Sequence, residues 1–379
     1  MSWAEVCGRR LERHLLCSPV PDRSPAAVAS AICGAHAQVL SAAELSIGVR
    51  ASAITRSGVR DALWRDRNLT KTLGPRGTVH LLATSDLPVW IGALQAIPPP
   101  RSSLPAEIRL TVQQTDTVME AIEDALVDAE LTLDELTDAI VARAGSWAGD
   151  LVIPAFQGLW PRWRQAIFAA AAKGVLCFGP NRGRKVTYTN PHRWLPGLKP
   201  ADEGDAVGEL LRRYLHAYGP ASPQHFARWL AAPASWAEQL FRSRADELQP
   251  VDIQGTQAWI LGDDTAPAPP PEGVRLLPYF DAYTVGCHPR ELLFPGAAAT
   301  RALNRGQAGN YPVLLINGTV AGVWHQRRQG AKTGITVEPL TRLTSAQRRQ
   351  LEEHAQRIGT ILEADATLAV GSVSAGAHA

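Results

Sequence analysis

Cysteine is sparse in this chain and lysine equally so. The five cysteines, at 7, 17, 33, 177 and 287, are scattered over 379 residues, with no Cys-x-x-Cys pair and no Cys/His cluster at metal-ligand spacing. That spacing excludes a zinc site and a disulfide framework, and no cofactor of any kind is expected. No run of about 18 uninterrupted apolar residues occurs, so nothing reads as a membrane-spanning helix. The opening MSWAEVCGRRLERHLL has the periodicity of an amphipathic helix, not the basic-then-apolar order of a signal peptide. These absences point to the cytoplasm and away from any membrane. What is present, 45% hydrophobic and 20% charged residues, is enough for several cores and excludes collagen and wholesale disorder.

Neither sign of charge dominates, since 38 basic and 36 acidic residues leave a formal net of +2. The make-up says more than the sum: five of the basic residues are lysine and 33 are arginine, the side chain that forks onto phosphates and guanine edges. A GC-rich genome explains that bias equally well, so distribution has to decide. Acidic residues gather from Glu120 to Glu135, whereas Arg50 to Arg76 and Arg162 to Lys185 are strongly basic. A charged face is therefore possible without a large net charge.

The pattern along the chain repeats. In residues 1–100, helical periodicity at Leu11, Leu15 and Leu16 leads to an Ala-rich helix from Pro25 to Ile32, closed by Gly34. Further helices are expected over Leu40–Val49 and Val59–Arg67. LTKTLGPRGTVHLLA then reads as two strands about a Gly-Pro-Arg-Gly turn, ending at Ala83, with Ser85 or Asp86 capping a helix through Leu94. After the linker IPPPRSSLP, residues 101–200 run through helices at Val118–Val127, LTLDELTDAI with a Thr N-cap, and PRWRQAIFAAAAKG. VLCFGPNRGRKVTYT follows as a second, more basic hairpin. A third pass over 201–265 has three helices and the strand pair LQPVDIQGTQAWIL, turned at Gln-Gly. Helices closed by a hairpin spell a winged helix, so the expected fold is α+β with three tandem winged-helix units. Past APAPPPEG, the β-runs from Val274 to 365 suggest a small β-barrel or sandwich carrying a final helix over Ser345–Leu362, with residues 366–379 a frayed, disordered tail.

Four strings occur here in one order: Gly34-Ala-His-Ala-Gln38, Arg76-Gly-Thr-Val-His80-Leu-Leu, Leu276-Leu-Pro-Tyr-Phe-Asp281-Ala-Tyr and Asn317-Gly-Thr-Val-Ala-Gly-Val-Trp324. In that order and over nearly the whole length, the chain resembles the AlkZ/YcaQ-type winged-helix DNA glycosylases of bacteria. The resemblance implies three tandem winged helices and a β-barrel bent into a C-shaped channel for duplex DNA. It also implies excision of N7-alkylated purines, bulky adducts and interstrand crosslinks included. The partner is then double-stranded DNA and the location nucleoid-associated cytoplasm. A monomer is expected, because a lesion lacks the two-fold symmetry that dimeric readers use.

The family's catalytic element is Gln-x-Gln or Gln-x-Asp, where this chain reads His36-Ala-Gln38. Gln38 matches; His36 replaces a neutral amide with a titratable ring. If the stretch is extended, both side chains project to one side; without the resemblance it is an ordinary polar turn between helices. An N7-alkylguanine is cationic and leaves readily, so the enzyme's task is to hold water near C1′ as the sugar becomes oxocarbenium-like. Gln38 is expected to orient that water, and neutral His36 to share its hydrogen bonds or accept its proton, with activity falling toward about pH 6. No lysine lies at the motif, the nearest downstream being Lys71, which favours a monofunctional enzyme over a lyase.

The remaining expectations concern DNA positioning. Arg162, Arg164, Arg182, Arg184 and Lys185 flank the second recognition helix and wing, where phosphate contact is natural. Arg76 and His80 help to shape the site, Asp281 lines the channel or makes a structural hydrogen bond, and His288 and Arg290 stand where the family usually has an acidic residue and Arg. Arg327 and Arg328, beside Trp324 and His325, reach toward DNA from a late strand. His36 in place of Gln also leaves open a non-catalytic DNA-binding protein, a regulator or lesion sensor.

Overall fold

The computed structural model describes residues 1–17, 21–99, 102–155 and 158–378. Its first run comprises α1 (Trp3–Arg13), α2 (Pro25–Ala31), β1 (Ala35–His36), α3 (Leu40–Gly48), α4 (Arg56–Trp64), β2 (Leu69–Leu73), β3 (Val79–Ala83) and α5 (Leu87–Gln95). Local chemistry sets the starts: Ser2 and Glu5 form a capping box on α1, and Ser24 and Thr55 cap α2 and α4. α5 begins where expected, but no side chain caps it. Asp86 turns away to pair with Arg213 at 2.9 Å. The hairpin ends at Ala83 as the pattern predicts, and β1 adds to it antiparallel in the order β1-β3-β2.

The second run holds α6 (Val112–Leu126), β4 (Glu130–Thr132), α7 (Leu133–Ala144), β5 (Leu151–Ala155), β6 (Gly158–Pro161), α8 (Ile167–Ala172), β7 (Cys177–Arg182) and β8 (Lys185–Thr189). Of the linker before it, residues 100 and 101 lie outside the described residues. The order β4-β8-β7 repeats that of the first sheet. Thr132 and Glu135 make the capping box that the sequence shows. Two differences stand out. The helix expected to start at Pro161 opens instead as a 3-10 turn over Arg162–Ala166. The β5–β6 hairpin was not legible, because its Leu151, Leu159 and Trp160 are exposed and no alternating apolar face marks it as a strand pair.

The third run is α9 (Glu203–Tyr218), α10 (Pro223–Leu230), α11 (Ala234–Ser243), β9 (Leu248–Ile253) and β10 (Thr256–Leu261). Gln254 and Gly255 turn the hairpin with φ of 49° and 90°, the left-handed pair that a two-residue turn demands. Beyond the proline linker come β11 (Val274–Leu277), α12 (Ala282–Gly286), α13 (Arg290–Leu293), α14 (Ala297–Ala302), β12 (Val313–Ile316), β13 (Thr319–Gln329), β14 (Lys332–Pro339), α15 (Ser345–Leu362) and β15 (Asp365–Val370).

This last region corrects two expectations. It is an open five-stranded sheet in the order β11-β12-β13-β14-β15, not a closed barrel, since no pairing joins β11 to β15 among the described residues. The tail is not frayed through Val370: α15 returns the chain so that β15 pairs parallel with β14, and Val373 is buried with its amide on Glu338. Alternation of Ala, Thr, Leu and Val in a short edge strand carries little signal until its partner is known.

Packing divides the molecule unequally. One core joins the first run, the third run and the C-terminal sheet, while the second run keeps its own around Val118, Ile122, Leu136, Ile140 and Trp163. α1 belongs to the joint core: Arg10, fully buried, donates to the carbonyls of Tyr218, Pro220 and His288. Arg9 and Arg13 both reach Asp264 at 2.8 Å. The N-terminal helix thereby ties the third run and the sheet to the first.

Candidate active site and nucleic-acid interface

Gly34 aims the His36-Ala-Gln38 string. Its φ of +98° and its N–H bond to the Ala29 carbonyl end α2, and a Cβ there would lie 2.6 Å from Leu82 Cδ2, so only glycine fits. The chain then runs extended: His36 sits directly opposite His80 in the β1–β3 pair, and the Ala37 amide donates to Val79. Ala37 is buried, His36 half-buried and Gln38 exposed. Gln38 is therefore the member of the motif that is open to solvent.

His36 is held by rings. Its centroid is 4.7 Å from that of Phe280 and 5.2 Å, edge to face, from His80. Burial, with the Arg76 guanidinium adding to it, pushes His36 down to about 4, and its Nδ1 is buried without a hydrogen-bond partner. A neutral ring with an unused nitrogen is what a water-sharing role requires. The expected loss of activity toward pH 6 accordingly moves lower, to the range where this ring protonates. His80 donates from Nδ1 to the Thr78 carbonyl at 2.8 Å and is held well below the usual range by burial, then by His36 and Arg76. It supports the site from behind. Arg76, in the turn at φ 60°, donates to the Trp229 carbonyl at 2.8 Å.

Gln38 faces a cleft of about 630 Å³ between the first and second runs, whose other walls include Lys71, Trp160, Arg164, Phe178 and Tyr188. Cations and aromatic faces interleave here: Arg164 lies over Trp160 at 4.1 Å and Lys71 over Phe178 at 5.0 Å. Sequence reasoning missed Trp160, because its strand was unmarked. It also treated Lys71 as remote, whereas β2 carries Lys71 into the same cleft, half-buried and lowered by that burial.

The other positions divide sharply. Asp281 has no exposed surface; Arg50 grips it through two bonds of 2.8 Å, and Ser46 and the Tyr283 amide bond it too. Burial raises its pKa, but Arg50 and these donors outweigh burial and hold it below the usual range. It cannot line a channel, and the structural reading of Asp281 is the right one. Arg162 is tied to Asp150 and to the Glu107 carbonyl, both at 3.3 Å. Arg182 pairs with Glu135 at 2.9 Å and Lys185 with Asp134 at 2.8 Å. Arg184, at the tip, is exposed and has no ion-pair partner among the described residues. Arg327 and Arg328 are exposed at the end of the β13–β14 hairpin, Arg328 bonding the Gly330 carbonyl. His288 is buried, stacked on His225 with centroids 4.7 Å apart, and Arg290 donates to the carbonyls of Thr284 and Val285.

A model of the family described as "DNA glycosylase AlkZ-like" matches residues 29–361. The chain belongs to the AlkZ-like DNA glycosylase family. It is 31% identical over 332 residues, 85% of this chain and 87% of the relative, to an interstrand DNA cross-link repair glycosylase of Streptomyces sahachiroi. The solved structure of the DNA glycosylase AlkZ from the same organism superposes with a TM-score of 0.79 at 28% identity, covering 97% of this chain and 100% of that one. The chain is thus a DNA glycosylase of DNA repair. No helix among the described residues is long and apolar enough to cross a membrane, and no group of three or more metal-ligating side chains assembles among them.

Proposed function

We propose that this DNA glycosylase hydrolyses the N-glycosidic bond of N7-alkylated purines in duplex DNA, acting as a monofunctional monomer. Bulky adducts are its range, and interstrand crosslinks fall within it, in keeping with the cross-link repair role of the Streptomyces relative. Such a specificity suits self-resistance to a DNA-alkylating natural product. The helix–hairpin runs over 1–100, 101–200 and 201–265 serve in this reading as winged helices on a channel closed by the sheet of 274–365.

The observation that carries it is exposed Gln38 on the wall of the aromatic and cationic cleft, two residues from a neutral His36. A cationic lesion base leaves without a strong general acid, so catalysis rests on positioned water at the sugar. Gln38 orients that water by donating and accepting, and neutral His36 receives or shares its proton. A cleft open between two runs admits an adduct too large for a closed base pocket.

The test is a duplex carrying N7-methylguanine, incubated with wild type and with a His36→Ala/Gln38→Ala double variant. Release of free base with an alkali-cleavable abasic site, by the wild type alone, supports the reading. Because Lys71 lines the same cleft, borohydride is added to trap any imine: an untrapped product supports hydrolysis, and a trapped one overturns monofunctionality. Binding without release from either N7-methylguanine or a bulkier N7 adduct would leave a lesion sensor in place of an enzyme.

A further inference from the structure

On the far side of the first wing's turn from Gln38 lies a second cavity, of about 460 Å³, built where the wing meets α10 and the segment from Val285 to Arg290. Four guanidiniums line it: Arg76 from the turn, Arg228 from α10, Arg290 from α13, and Arg305 from a tight turn in which Arg305 and Gly306 take φ of 50° and 77°. Arg76 and Arg290 are half-buried at its base, and Arg228 and Arg305 are exposed at its rim. His288 is among its walls, and no Asp or Glu is.

The electrostatics of the walls are one-sided. Arg290 is pushed down to about 10 by burial, and among the charges acting on it are Arg228 and Arg76 but no carboxylate. His288 is pushed down to about 2 by burial and then by Arg290, His225, Arg228 and Arg10. His225 is lowered to about 4 by burial and by Arg10, Arg228 and Arg290. Carbonyl oxygens take one bond from Arg76 and two from Arg290, which leaves further N–H donors on each and cancels no charge. Half-buried cations without a counter-ion repel one another in a medium of reduced dielectric. Some buried arginines have a carboxylate, Arg50 on Asp281 and Arg9 on Asp264, whereas Arg10, buried, and Arg357, half-buried, are held by carbonyls; what sets this cavity apart is that four guanidiniums share its walls. A cavity that gathers guanidiniums and omits carboxylates is shaped for a multivalent oxyanion, and guanidinium forks match phosphate oxygens in pairs.

We propose that this cavity binds one phosphodiester group of the DNA backbone next to the lesion nucleotide, drawn in between Arg228 and Arg305 and seated on Arg76 and Arg290. The site takes a phosphate, and the source assigned is the duplex itself, because Arg76 connects it through a single turn to the strand facing His36. Anchoring a phosphate there fixes the register of the sugar against the His36–Gln38 pair. Nothing in the chemistry of base release requires Arg228 or Arg305, so their role is positioning.

The experiment uses the full chain and a duplex with a tetrahydrofuran abasic analogue, so binding is read without any excision and does not depend on the proposed reaction. Arg228→Gln/Arg305→Gln, at two exposed positions, is compared with wild type after thermal melting confirms an unchanged fold. The expected result is a Kd weakened about 10-fold, with the slope of log Kd against log salt reduced by about one phosphate's worth, roughly 0.9. A scan of single methylphosphonates around the analogue should find one position that weakens wild type and leaves the variant unmoved. Unchanged affinity and slope, or methylphosphonate effects equal in the two proteins, would overturn the proposal. Inorganic phosphate is the second probe: if it protects wild type but not the variant against thermal melting while duplex binding is the same in both, the cavity holds a free phosphate and the assignment to the backbone is wrong.

Discussion

The first and second wings share a strand order and nearly a turn sequence, and they have opposite fates. In the first, Gly-Pro-Arg-Gly carries Arg76 under α10, with His80 buried and His36 packed against Phe280 from the C-terminal region. In the second, Gly-Pro-Asn-Arg-Gly ends in an exposed turn whose Arg182 and Lys185 pair with Glu135 and Asp134 of α7. The difference lies in what covers each wing. Covering drives out water, keeps histidines neutral by lowering their pKa, and fixes rings. An uncovered wing keeps its cations solvated, in ion pairs worth only about 0–1 kcal/mol each.

That contrast can be broken or sharpened by measurement. The largest effect is expected at the covered wing's motif: Gln38→Ala should slow single-turnover base release about 10²–10⁴-fold with Kd for damaged duplex little changed. A loss seen only in Kd would make Gln38 a binding residue. Next comes the buried anchor behind it. Asp281→Ala leaves Arg50 uncompensated and should cost about 3–5 kcal/mol in chemical denaturation, whereas Asp134→Ala, at the exposed second wing, should cost under about 1 kcal/mol.

Acid should separate the wings as well. His36, His80 and, outside the wing, His14 at about 3 and His354 at about 3 are all held below the unfolded value, chiefly by burial. Between about pH 4 and 6.5 the unfolded chain binds more protons than the folded one, so stability falls as pH falls. Each such group costs at most about 1.4 kcal/mol per unit below 6.5. The second wing, residues 177–189, contains no histidine. Amide protection factors, which take out the slower intrinsic exchange at acid pH, should therefore fall from pH 7 to pH 5 in the first wing and not in the second; an equal fall would mean that the core shared with the third run fails as a whole. The catalytic rate, by contrast, should stay level from pH 8 to about 5 and decline only as His36 approaches its value of about 4.

The smallest effect is expected from Arg184→Ala. Removing this single exposed cation should lower the salt slope of duplex binding by about 0.9 and weaken Kd a few-fold without touching base release. A drop in the rate at saturating enzyme would show that the second wing does more than hold DNA.

Much of this architecture is legible in residue order. Capping boxes at Ser2, Thr132 and Thr344, glycines at forced φ and the turn at Gln254-Gly255 are local signals, decided within a few residues of chain. They locate helices and hairpins, and the His36-Ala-Gln38 string locates the site. Partners distant in sequence are another matter. Phe280 against His36, Arg50 on Asp281, Lys71 and Trp160 beside Gln38, and the gathering of Arg76, Arg228, Arg290 and Arg305 join segments dozens to hundreds of residues apart. Which arginine is buried beside a carboxylate, which is bound to carbonyls and which faces a cavity depends on what packs over it. The sequence by itself determined the elements and the motif, because hydrogen-bonding and periodicity act locally. Only the tertiary structure decided which histidines stay neutral and which cations remain uncompensated, because desolvation and Coulomb interaction depend on distance in space.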